Sequence, residues 1–202
     1  MTTGIRAEPS QRRSRDKRDR ILVAVGELLE EVPFERITTK DIAARAGVSV
    51  GSLYRFFVDK QAVIDALGQH WLDSYVEIMD GALAEAPPDG DALVDQVVDA
   101  FAAFWRGEHE LPSPGLRQIW FGPVKAQFTP GALVENDDLL VSRLFDVLTT
   151  TLGRPPTEQL RIRLRVAINV ADDLLTRAFR ANPRGDETIL AELKELLRRY
   201  LA

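Results

Sequence analysis

The stretch that decides the fold is residues 38–60, TTKDIAARAGVSVGSLYRFFVDK. Thr38 begins a T-x-x-D pattern that is typical of a capping box, and Gly47 suits the left-handed turn that ends a helix. Ser49 then stands as the N-cap of a second short helix over residues 50–56. Two short helices joined by a tight turn that contains glycine predict a helix-turn-helix.

The residue types along these two helices have a packing reason. Ala43 is small, which lets the second helix cross close to the first, and apolar residues on both helices fix the crossing angle. The second helix then presents its remaining positions outward, and these are Val50, Gly51, Ser52, Tyr54 and Arg55. Such a helix can enter the major groove of DNA with its N-terminal residues against the base edges.

The residues on either side extend this pattern. An amphipathic helix is predicted from about Asp16 to Glu31, and Asp59 caps a long helix that follows. Residues 18–67 resemble the DNA-binding domain of the TetR-type repressor family. The matching text is Thr38-Thr39-Lys40-Asp41-Ile42-Ala43, Ala46-Gly47-Val48-Ser49, Gly51-Ser52-Leu53-Tyr54-Arg55-Phe56-Phe57, Asp59-Lys60 and Leu67.

The resemblance implies an all-helical homodimer that reads DNA and binds a small effector. The DNA contacts it implies are Thr39, Lys40, Ser49, Val50, Gly51, Ser52, Tyr54, Arg55, Phe56 and Lys60. Tyr54 and Lys60 would hold phosphates, while Val50, Gly51 and Arg55 would face bases. Arg55 is the best candidate for a guanine contact, with another phosphate contact as the open alternative.

Three regions follow along the chain: a disordered arm over 1–15, a helix-turn-helix domain over 16–60, and a ligand-binding and dimerisation domain over 61–202. The arm is rich in arginine, so it either adds phosphate or minor-groove contacts or serves as a solubilising tail. Beyond the motif, helical periodicity recurs between Pro and Gly breaks, and no strand is predicted. The expected fold is therefore all-α with about nine helices. The long helix capped by Asp59 is ended by Pro87-Pro88 and Asp89-Gly90. The later helices span 91–107, 135–152, 157–181 and 186–201, with a broken segment over 115–128.

Aromatic residues concentrate in one zone of the third region: Phe101, Phe104, Trp105, Trp120, Phe121 and Phe128. Pockets between bundle helices are common small-molecule sites, so this zone predicts a cavity for an apolar or aromatic effector. A filled core is the alternative. Asn169, Asp172 and Asp173 interrupt an otherwise apolar helix, and they either orient a ligand in the cavity or lie on the surface, with the surface favoured for Asp172.

The last two helices, within about 157–201, are apolar on more than one face and therefore need two partners. One partner is their own domain, and the other is the same surface of a second copy in a two-fold dimer. A helix buried centrally in the monomer is the alternative.

Composition limits the chemistry. The chain has no Cys and two His, and Asp172 and Asp173 are neighbours that point about 100° apart, so we expect no metal, no cofactor and no catalytic site. The net charge of −5 divides into +3 for residues 1–60 and −8 for residues 61–202. With no apolar run long enough for a membrane and no signal peptide, a cytoplasmic protein is expected. The best interpretation is a repressor that binds a palindromic operator as a homodimer and is released by a small, largely apolar effector. A helical adaptor that has lost its operator is the alternative.

Overall fold

The computed structural model describes the backbone of residues 9–108 and 130–202 and the side chains of residues 14–108 and 137–202. Every regular element in these ranges is helical, so the all-α prediction is confirmed. The described ranges contain eight α-helices and one 3-10 turn, Phe34–Arg36. The α-helices are α1 Pro9–Glu31, α2 Thr39–Arg45, α3 Val50–Phe56, α4 Lys60–Ala84, α5 Gly90–Arg106, α6 Pro130–Thr150, α7 Glu158–Arg180 and α8 Glu187–Leu201.

Helix α1 begins earlier than predicted. It starts at Pro9 rather than at about Asp16, so residues 9–15, which were expected in a disordered arm, lie in the helix. Proline suits the first turn of a helix, and the Ser, Gln and Arg residues after it include no helix breaker. The apolar stripe that marks an amphipathic helix starts only at Ile21, so the residues before it carry no such signal in the sequence.

The described chain divides into two compact units, residues 9–69 and residues 70–108 with 130–202. The division falls inside α4, which contributes to both units. In the first unit, α1 packs on α2 and α2 packs on α3. Fully buried Ile21, Ile42 and Leu53 form the centre of its core. From the sequence, the boundary between the DNA-binding and ligand-binding domains is expected at residue 60, at the end of the motif, whereas this division falls after residue 69. The boundary at residue 60 stays a prediction.

In the second unit, α7 packs against both α6 and α8, and α5 packs against α8. Leu93, Val141 and Leu164, from α5, α6 and α7, meet in its core. Two ion pairs on the surface, Asp99 with Lys194 and Asp95 with Arg198, join α5 to α8. The segment predicted to be broken, residues 115–128, lies outside the described residues.

Candidate nucleic-acid interface

The first helix of the motif begins with the predicted capping box. The Asp41 amide donates to the Thr38 Oγ1 at 3.2 Å, and the Thr38 amide donates to the Asp41 carboxylate at 2.9 Å. The Thr38 hydroxyl also donates to this carboxylate, at 2.6 Å. These bonds lower the pKa of Asp41 and fix the start of α2. The prediction from the T-x-x-D pattern is confirmed.

The second helix begins as predicted as well. Gly47 takes a left-handed φ of 64° in the turn, and the Ser49 Oγ accepts a bond from the Ser52 amide at 3.1 Å. Ala43 and Leu53 are buried where the two helices meet. The helix-turn-helix is therefore built by local capping at both helix starts and by small or apolar side chains at the crossing.

A pair of hydroxyls joins α2 to α3 on the exposed side of the motif. The Thr39 Oγ1 and the Tyr54 Oη lie 3.2 Å apart, and the Tyr54 side chain is half exposed. Each hydroxyl has one proton and two acceptor lone pairs, so the pair can hold one mutual bond and still donate outward. The pair therefore keeps one outward O–H donor, held in place by the mutual bond, and such a donor suits a phosphate oxygen.

The other implied contacts lie on the same two helices or on their caps. Lys40, Ser49, Gly51 and Arg55 are exposed, while Val50, Ser52 and Phe56 are half-buried. The Arg55 guanidinium lies 5.5 Å from the centre of the Phe56 ring. A Cβ added to Gly51 would meet no heavy atom within 4 Å. The fold therefore brings these positions together, whereas their roles on DNA stay predictions.

Lys60 is placed differently from the others. Its ammonium donates to the Phe34 carbonyl oxygen at 2.9 Å and lies 4.1 Å from the centre of the Phe34 ring. The partner is 26 residues earlier in the chain, so no local pattern marks it. The amide of Ala62, in the first turn of α4, donates to the Asp59 carboxylate at 2.8 Å.

Sequence reasoning also missed an ion pair that attaches α2 to α1. The Arg45 guanidinium binds both oxygens of the Glu31 carboxylate, at 2.9 and 2.7 Å, and reaches Glu27 at 3.4 Å. The hydrogen bond from Arg45 lowers the pKa of Glu31. Planar bidentate pairs of this kind add geometric specificity as well as attraction. Arg45 and Glu31 are 14 residues apart, too far for helical spacing to reveal the contact.

The described part of the predicted effector zone is a buried aromatic cluster. The Tyr75 ring lies 5.1 Å from that of Phe101 and 5.5 Å from that of Phe104, and Trp105 stacks on Phe179 at 6.0 Å. Burial and the nearby negative charge of Asp172 raise the pKa of Tyr75. The other predicted members, Trp120, Phe121 and Phe128, lie outside the described residues.

The polar residues predicted beside this zone lie elsewhere. Asn169 and Asp173 are on the exposed face of α7, and Asp173 binds Arg177 at 2.7 Å. Of the two positions that the sequence left open for them, the surface is the one observed. Asp172, for which the sequence favours the surface, is instead half-buried, and its charge acts on Tyr75. Helical spacing alone could not separate these faces because α7 has apolar residues on two sides.

Helices α7 and α8 leave an open apolar groove of about 650 Å³. Its apolar lining consists of Val166, Ala167, Val170, Leu174, Leu196 and Tyr200. Ile162, Val166 and Leu196 are each more than 40% exposed. The second apolar face predicted for these two helices is therefore present on the surface of the chain.

Among the described residues, no helix combines the length and the apolar character that crossing a bilayer requires. In the same residues, no three His, Asp or Glu side chains are grouped as metal ligands would be.

Comparison with known proteins agrees with this architecture. Residues 21–67 match the family model for bacterial regulatory proteins of the tetR family, and residues 88–202 match the model for the tetracyclin repressor-like C-terminal domain. The crystal structure of a TetR-family transcriptional regulator from Streptomyces coelicolor is 37% identical. It superposes with a TM-score of 0.67 over 92% of this chain and 97% of that one.

Other relatives carry different names. The nucleoid occlusion factor SlmA of Shewanella frigidimarina is 40% identical over 190 residues, which is 89% of this chain and 86% of that protein. The SlmA of Idiomarina loihiensis matches at 43% over only 53 residues, 27% of its length. FadR of Bacillus subtilis, solved in complex with stearoyl-CoA, is 16% identical with a TM-score of 0.65 and shares the fold. The two family models together cover most of the chain, which therefore belongs to the TetR family of DNA-binding transcriptional regulators.

Proposed function

We propose that this protein is a ligand-responsive repressor that binds a palindromic operator as a homodimer and leaves it when a small, largely apolar effector binds. The observation that supports DNA contact most directly is the meeting of the Thr39 and Tyr54 hydroxyls at 3.2 Å on the exposed side of the motif. Phosphate contacts fix the register of a protein on the duplex, and base contacts then select the sequence.

The proposed contacts divide by chemistry. Thr39, Lys40 and Tyr54 hold phosphates, with Ser49, Ser52 and Phe56 beside them at the start and end of α3. Arg55 binds the O6 and N7 of a guanine, and Val50 contacts a thymine methyl group. Gly51 lets the backbone approach the bases. The net charge of +3 over residues 1–60, against −8 over residues 61–202, favours approach to DNA by the first part of the chain.

The groove between α7 and α8 supports the homodimer, because a second copy of the same surface would cover its exposed apolar side chains. Two motifs related by a two-fold axis would read half-sites about 34–36 Å apart, one turn of DNA. An effector bound in the aromatic zone would favour a form of the dimer in which the two motifs are spaced differently. It would thereby shift the population off the operator. This function is one of binding, not catalysis, and takes place in the cytoplasm.

The relatives named nucleoid occlusion factors supply a second candidate, in which the same motif binds DNA for nucleoid occlusion. The two candidates differ in where the protein binds. Chromatin immunoprecipitation would find a repressor at a few promoter-proximal operators, whereas sites spread over the chromosome without relation to promoters would favour the second candidate.

Operator binding is tested by titrating the purified protein against the intergenic DNA upstream of its own gene and following the shift in a gel. We expect a discrete complex on one palindromic segment at moderate salt, and no such complex with the double variant Thr39→Val, Tyr54→Phe. Thr188→Val, an exposed threonine in the first turn of α8, is the matched control and should bind like the wild type. If the wild type binds no palindrome in this region, self-regulation through this site is wrong.

A further inference from the structure

A single side chain joins the first residue of α4 to the turn between α1 and α2. The Lys60 ammonium donates to the Phe34 carbonyl at 2.9 Å and stands 4.1 Å above the centre of the Phe34 ring. Phe34 is 8% exposed, and Lys60 is half-buried. The ammonium therefore has a hydrogen-bond acceptor and an aromatic face inside the chain, and both contacts gain strength where water is excluded.

The surroundings of Lys60 disfavour a phosphate. The positive end of α4 already has an anion, since the Asp59 carboxylate accepts from the Ala62 amide at 2.8 Å. A second anion at this helix end would meet the charge of Asp59. One of the three ammonium donors is held by the Phe34 carbonyl, and the Phe34 ring covers another side of the charge.

The contact also lies where it can set the position of the motif. Phe34 is in the 3-10 turn that leads into α2, and α2 is attached to α1 by Arg45 and Glu31. Helix α4 continues from the first compact unit into the second. The bond between Lys60 and Phe34 therefore ties the first residue of α4 to the turn that leads into α2.

We propose that Lys60 is a positioning residue that fixes the start of α4 on Phe34 and thereby sets the placement of α2 and α3 on the operator, instead of binding a phosphate. This inference rests on the proposed operator binding. It replaces the role that resemblance to TetR-type repressors assigns to Lys60, and it leaves the roles of Thr39, Lys40 and Tyr54 unchanged.

Salt dependence separates the two roles. A lysine that neutralises a phosphate releases a counterion, so its removal lowers the slope of log affinity against log salt by about one. Lys40→Met, at the exposed start of α2, should show this loss of slope. Lys60→Met should weaken operator binding about tenfold at every salt concentration with the slope of the wild type. Fluorescence anisotropy with a labelled operator measures both.

A double-mutant cycle tests the partner. Phe34→Leu removes the ring but keeps a buried apolar side chain, and the carbonyl remains. If the two residues act together, Phe34→Leu weakens operator binding on its own. The double variant Phe34→Leu, Lys60→Met is then no weaker than Lys60→Met alone. Independent effects that add in free energy would contradict the proposal.

Two further measurements separate positioning from a loss of folding and from failure of operator binding itself. Thermal unfolding followed by circular dichroism fixes a titration temperature at which every variant is folded, and Lys60→Arg, which keeps a donor and a cation, should recover most of the affinity. If the wild type binds no operator, the proposed function fails. If the wild type binds and Lys60→Met loses slope as Lys40→Met does, or binds unchanged, the positioning role fails.

Discussion

Gly51 occupies the second position of α3 although the chain itself needs no glycine there. Its helix is regular, and a Cβ would enter open space. Glycine in a helix costs roughly 0.5–1 kcal/mol relative to alanine. Gly51→Ala should therefore raise the free energy of unfolding by about that amount, measured by urea denaturation, while it weakens operator binding because the methyl group meets the bases.

Gly81 is the matched control, since it lies in α4, is exposed, and also has no heavy atom within 4 Å of a Cβ. Gly81→Ala should stabilise the protein similarly and bind the operator like the wild type. Wild-type affinity in Gly51→Ala would show that the backbone of α3 does not approach the bases at this position.

Arg55 has two possible roles that one experiment distinguishes. If it binds a guanine, Arg55→Ala removes about 1–3 kcal/mol of discrimination at one base pair of each half-site and leaves the other positions unchanged. We expect this result when affinities are measured for operators substituted one base pair at a time. Uniform weakening over all operators, with a lower salt slope, would instead identify a phosphate contact.

At the scale of helices, the pair of Arg45 and Glu31 makes the attachment of α2 to α1 sensitive to acid. The pKa of Glu31 is lowered from 4.5 in the folded protein, so its contribution is complete above pH 4.5 and is lost as the pH falls through the lower folded value. In urea denaturation, the wild type should lose more stability than Glu31→Gln between pH 5.5 and pH 3. Equal losses would contradict this. Glu35→Gln, at an exposed position of the 3-10 turn, is the control and should behave like the wild type.

The helices show which features a sequence can reveal. The starts of α2, α3 and α4 were predicted to the residue because their caps lie next to the helices that they begin. The early start of α1 was missed because its first turns have no apolar stripe. The partner of Lys60 and the face of α7 that carries Asp172 depend on residues far along the chain, so only the folded structure could identify them.

At the scale of the whole molecule, the second apolar face of α7 and α8 supports the proposed homodimer. The sequence predicted a second face, and the structure places exposed Ile162, Val166 and Leu196 on these helices. A repressor that reads a palindrome needs two motifs in one assembly, because one helix-turn-helix contacts only one half-site. Operator affinity should therefore depend on residues far from the DNA.

The last prediction tests this dependence. Val166→Glu with Leu196→Glu puts two more carboxylates into the groove between α7 and α8, whose lining already holds Glu192 and Glu195 against one cation, Arg199, so a second copy would have to bury an excess of negative charge. We expect this variant to be monomeric in analytical ultracentrifugation at micromolar concentration and to lose operator binding, with its helix content unchanged by circular dichroism. Leu139→Glu is the matched control, because Leu139 is also half exposed but lies on α6. Leu139→Glu should remain dimeric and bind the operator. A Val166→Glu, Leu196→Glu protein that is still dimeric would show that the dimer interface lies on another surface.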